Sequence, residues 1–245
     1  MKKSVRASDS DTQRPSNLAR QGFLDAIEEL AGLLVITGVE FKTSSPISLA
    51  RLDSMDDESL LKMTSEVRLL SRALDESSGR YTIKNEKSGE LKSFLRLSKF
   101  RIPDDFFDVI GSNDIVELYL MDFERRVLKQ AWRNWRFMSM CSYDLITLMT
   151  KSMDELFVRD DQIQEIMVKR IQSLFENPVT QPTDIPAHVI TEKLDQNNRQ
   201  FMLHSHYFGP VLAEDGKVIG LIATLDAKPV GSAYAHVTNV EPIKP

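Results

Sequence analysis

The residues best suited to chemistry in this chain are histidines in its C-terminal third. His204-Ser205-His206 sets two imidazoles two residues apart, a spacing that puts both on one face of an extended strand. His188, on a neighbouring strand-like run, adds a third nitrogen. Three imidazoles with an open position make an acceptable zinc set and would serve a small metal-dependent enzyme. Histidines outside a fixed motif are more simply the polar residues of a solvated sheet face, so no metal centre is assigned. Ser205 is a poor nucleophile, because on a strand its side chain points away from both neighbouring histidines. The GxxxxGK[ST], GxGxxG and HExxH patterns do not occur, which leaves nucleotide cradling and helix-borne zinc chemistry without their signatures. Arg68 and Arg72 read as an exposed helix face. Cys141 is the single cysteine; it excludes an intrachain disulfide and reads as a small buried hydrophobe.

The elements that must position these residues fall into two halves. The chain has 245 residues, 42% of them hydrophobic, and a net charge of -5. That is enough apolar material for a core, but it offers no basic footprint for nucleic acid. Residues 1 to 16 are polar, lack apolar periodicity, and are expected to form a disordered arm. From Asn17, the residues Phe23, Ala26, Ile27, Leu30, Leu33 and Leu34 repeat at helical spacing, with Ser16 or Asn17 as cap and an end near Gly38. After a loop "TSSPIS", a second helix starts at Asp56 and Asp57 and stops at Ser-Ser-Gly. Its seam of Leu60, Met63, Val67, Leu70 and Leu74 suits packing on its own domain or on a second helix. The stretch "GRYTIKNEKSGELKSFLRL" is expected to be a hairpin turning at "NEKSG". Pro103 and Gly111 bracket a short helix and place a domain boundary near residue 111.

The second half reads strand, strand, four helical pieces, strand, strand, strand. "DIVELYLMD" and "RRVLKQAW" form the opening pair, and short helical pieces run from Arg133 to Leu156. A longer helix is capped by Asp160 and carries Ile163, Ile166, Met167, Ile171, Leu174 and Phe175. "AHVITEKLDQ", "RQFMLHSHYFGPVL" and "KVIGLIATLDA" complete the set. Strict alternation places His204, His206 and Phe208 on one face and Leu203, Ser205 and Tyr207 on the other.

In this order, residues 112–227 resemble the PAS family of sensory and interaction modules. The resemblance is carried by "DIVELYLMDFERRVLKQAW" with Asn134 after it, "CSYDLITLM" with Tyr143, "MDELFVRDDQI", and the closing Gly209-Pro210 and Val218-Ile219-Gly220 hairpin. Ser142 stands where the family usually has Gly. The resemblance implies an α+β fold: a PAS-like five-stranded antiparallel sheet with helices inserted after the second strand. Here that fold is preceded by a mainly helical N-terminal region (17–111) with a short hairpin, and followed by a tail (228–245).

A ligand site between the long helix and the sheet would be lined by Met149, Phe157, Met167, Ile171 and Tyr207, although the same side chains would equally close a solid core. Cys141 precedes Tyr143 rather than heading the long helix, and no His lies between Asp160 and Glu176, which speaks against flavin-adduct and histidine-ligated haem chemistry; the cofactor is left unknown. The expectation is a non-catalytic, cytoplasmic signalling protein that senses a small ligand or contacts a protein partner, itself included as a homodimer, with no nucleic acid and no membrane. The rival readings are the histidine metalloenzyme and an adaptor that sequesters a protein through an exposed helix seam.

Overall fold

Ser16 opens the first helix by accepting the Ala19 amide on its side chain, and α1 (Asn17–Leu34) buries the expected stripe of Phe23, Ala26, Ile27, Leu30 and Leu34. The computed structural model describes residues 15–35, 38, 40–78, 88–111, 114–123, 127–193 and 199–231. The expected arm therefore lies outside it up to residue 14, and the tail beyond residue 231. The loop "TSSPIS" instead starts a helix, α2 (Pro46–Leu52), through a reciprocal cap between Ser45 and Ser48 with Pro46 in the first turn. The signal was present as a Ser-Pro start; the run was too short to show periodicity.

Helix α3 (Asp57–Ser78) packs against α1 and against α4 (Gly89–Ser98). Leu60, Val67, Leu70 and Leu74 of its seam are buried in the core of this same chain. The seam is thus not the exposed docking stripe of the adaptor reading. Helix α4 also corrects the expected hairpin: residues 79–87 lie outside the described set, but 89–98 is helical. Leu91, Phe94 and Leu95 are buried at spacings of three and one, the helical pattern overriding the β-like composition upstream. In α5 (Asp105–Val109) Asp104 holds the cap position, so Pro103 lies just outside the helix rather than at its first position.

Strands β1 (Ile115–Asp122) and β2 (Val127–Arg133) pair antiparallel as expected. The short helices α6 (Trp135–Met140), α7 (Leu145–Thr150) and α8 (Met153–Leu156) follow. They lead through β3 (Phe157–Val158) to the long helix α9 (Asp161–Glu176), where Asp160 accepts the Gln162 amide. The rest is β4 (Gln181–Pro182), β5 (His188–Glu192), β6 (Gln200–Leu212) and β7 (Val218–Pro229).

Among the described residues these strands form one antiparallel sheet in the order β2-β1-β7-β6-β5-β3, with β4 against β6. The fold is α+β; the sheet has seven strands rather than five, because the two-residue strands β3 and β4 join its edges. Neither short strand has enough residues to alternate visibly.

The sheet is covered on both sides. One buried cluster joins α1, α3, α4 and α5 to Leu118, Trp132, Val211 and Ile222. Phe106 of α5 lies so close over Gly209 that a Cβ there would come within 2.7 Å of its ring. A second, smaller cluster joins α9 to Phe208, Leu221 and Ala223 on the opposite face. Double cover explains why Ile115, Val116, Glu117 and Leu118 are all buried although their side chains alternate. A β-bulge in β6 breaks the alternation expected there: Ser205 pairs with Leu225 and Tyr207 with Thr224, leaving His206 as the extra residue. Phe208 therefore shares the α9 face with Ser205, while Tyr207 turns to the other face.

Candidate functional site

The face of the sheet beneath α9 carries charge where an apolar face was expected. Glu117 of β1 stands opposite Arg133 of β2 and Ala223 of β7, so its side chain projects towards the α9 side, and it is 3% exposed. Gln130 donates its Nε2 hydrogen to Glu117 Oε1 at 2.5 Å. Burial pushes the Glu117 carboxyl up, against the pull of Tyr119, Arg133, Arg159 and Gln130. Burial likewise dominates at Tyr119, whose phenol is raised well above its ordinary range, with Glu117 adding to the effect.

Arg133 is 6% exposed, its guanidinium stacks 5.1 Å from the centre of the Phe137 ring, and burial draws its pKa down. A guanidinium nevertheless stays charged. Among the described residues its Nη1 has no hydrogen-bond partner, and neither does Gln130 Oε1.

A second polar anchor lies at the β5 end of the same face. His188 is 6% exposed and its Nδ1 sits 3.0 Å from the Pro186 carbonyl oxygen. That contact makes Nδ1 the hydrogen-bearing nitrogen and leaves Nε2 as a buried acceptor, which no group among the described residues meets. Burial lowers the His188 pKa, and Arg159, just before α9, lowers it further while also acting on Glu117 and Tyr119. Glu192, wholly buried, accepts hydrogen bonds from the Ser142 amide at 2.8 Å and the Ser142 hydroxyl at 2.5 Å, tying the loop before α7 to β5. Ser142 thus has a structural task. Cys141 is held nearby and burial pushes its thiol well up, so it is not a thiolate.

The five expected lining residues do not converge on one site. Met167 and Ile171 pack from α9 onto the smaller cluster. Phe157 and Met149 belong to the larger cluster, with Phe157 edge-on to Phe137 and Tyr143. Tyr207 lies in that cluster too, on the other face of the sheet because of the bulge. Arg159 reaches the Met167 sulfur, and Phe157, paired with Glu192, shares the face of His188. Polar positions alternating along "DIVELYLMDFERRVLKQAWR" read as a solvated face, which hides Glu117, Gln130 and Arg133, and Arg159 stands in the loop just before α9, where no pattern marks it. The available signal was that Glu117 and Arg133 are the charged members of the opening strand pair that fall on the α9 side.

The three-histidine set also separates. His188 is buried beneath the α9 side, whereas His204 is exposed and stands opposite Asp226 on the other face. No protein-family model matches this chain, and comparison with curated proteins gives no significant match.

Proposed function

We propose that this protein is a non-catalytic signalling module of the PAS type, which holds a small polar ligand between α9 and the sheet and passes its state to a protein partner or a second copy. The observation that carries the reading is Arg133: a buried, permanently charged guanidinium against the Phe137 ring of α6, on the same sheet face as Glu117, whose Nη1 meets no hydrogen-bond partner among the described residues. Leaving a buried charged donor unpaired is expensive, and a ligand carboxylate or carbonyl would match it. Gln130 Oε1 and His188 Nε2 are acceptors without partners among the described residues, suited to a hydroxyl or amide on the same molecule. The order of the strand pair β1 and β2, the helices α6 to α9 and the longer strands β5, β6 and β7, with the two-residue β3 and β4 added, supports the family reading. A route for the signal is suggested by the larger core cluster, which runs unbroken from α1 and α3 into the sheet.

The test is native mass spectrometry of the full chain as purified, followed by a thermal-shift screen of small carboxylic acids against wild type and Arg133→Met. The reading expects a retained small molecule, or stabilisation by a subset of the acids, that Arg133→Met abolishes. It fails if wild type carries nothing and no acid shifts its melting temperature, or if the shift is the same in Arg133→Met.

A further inference from the structure

We infer that His204, His206 and Asp226 form a binding site for a divalent transition-metal ion, of the zinc class, on the face of the sheet opposite α9. This site is independent of the ligand reading above and lies on the opposite face from Arg133. Three features of the backbone assemble it. His204 and Asp226 are direct partners across β6 and β7, so their side chains rise side by side from the same face. The bulge makes His206 the extra residue between Ser205 and Tyr207, and its ring leans back over the same pair. The two imidazole rings lie 5.0 Å apart between centroids, and His206 Nε2 is 3.4 Å from Asp226 Oδ2.

One ligand atom from each residue lies within 4.8 Å of the other two. Bonds of about 2.0–2.1 Å in a tetrahedral zinc site put ligand atoms roughly 3.3 Å apart. The His206–Asp226 edge already has that length, and the remaining approach needs only rotation of His204, which is exposed. An ordinary ion pair would account for His206 and Asp226, but it would leave unexplained a second imidazole held against the first and directly opposite the carboxylate. Two nitrogen donors and one carboxylate suit zinc or another first-row divalent ion, with the remaining position left to water. His188 takes no part, since it is buried on the other face.

The experiment uses the full chain, stripped of metal with a chelator and titrated with Zn2+ by calorimetry, with Co2+ absorption as a spectroscopic check. We expect one ion per chain, and at least tenfold weaker binding in both His204→Ala and Asp226→Asn. Circular dichroism of each variant establishes that it is folded. The proposal is overturned if wild type binds no stoichiometric Zn2+, or if folded His204→Ala and Asp226→Asn keep its affinity.

Discussion

Glu90 illustrates how far burial can move a single group. It sits in the first turn of α4, where the helix dipole favours a carboxylate. It also borders a small cavity of about 20 Å³ against Leu30, Leu74 and Trp132. Burial wins and raises its pKa to about 7, with Arg136 pulling weakly the other way. In the window between about 4.5 and 7 the native protein keeps a proton that the unfolded chain has released, so this group's contribution to stability falls as pH rises through it. Glu90→Gln should match wild type near pH 4 and exceed it at pH 8 by about 1–3 kcal/mol, allowing for the partial exposure of the group. Urea midpoints at the two pH values measure this, and parallel pH profiles would count against it. Burial of this kind is what sequence patterns convey least. Glu90, Glu117 and Arg133 all read as surface residues because charge predicts exposure on average, whereas here a second layer covers each position.

At the scale of elements, capping and periodicity carried α1, α3 and α9 into the sequence plainly: Ser16, Asp160 and the apolar repeats act within a turn or two of themselves. Elements whose existence depends on a distant partner were not legible. β3 exists because Phe157 finds Glu192, and β4 because Gln181 finds Phe208. Gly220 makes the same point energetically. β7 passes so close to β1 that a Cβ at Gly220 would lie 1.9 Å from the Tyr119 carbonyl oxygen. Gly220→Ala should therefore cost about 2–3 kcal/mol through forced separation of the strands. Gly32, on the exposed side of α1 with nothing within 4 Å, is the contrasting case. Gly32→Ala should add about 0.5–1 kcal/mol, because alanine loses less backbone freedom in a helix. Chemical denaturation of both variants checks the pair, and similar effects of the same sign would refute the argument.

For the whole molecule, the continuity of the larger core has a consequence for cooperativity. Phe23, Leu30 and Leu74 from the N-terminal helices and Leu118, Trp132 and Ile222 from the sheet belong to one buried cluster. Far-ultraviolet circular dichroism weighted by the helices and fluorescence from Trp132 and Trp135 should then report one transition with a common midpoint. Phe23→Ala, remote in sequence from both tryptophans, should shift both probes together by about 3–5 kcal/mol. Two separated transitions would show instead that the halves unfold independently. Among the described residues no helix is long and apolar enough to cross a membrane.

By itself the sequence determined the mixed α+β character, the order of the long strands and helices, and the apolar faces of α1, α3 and α9. Those properties follow from interactions between residues a few positions apart. Only the tertiary structure decided that the α3 seam is already occupied, that His204 and His206 meet Asp226 rather than His188, and that Glu117 and Arg133 are buried. Each of these depends on strand register, on one bulged residue, or on which layer covers which face. Those choices are made by contacts between segments far apart in the chain, and no local pattern records them.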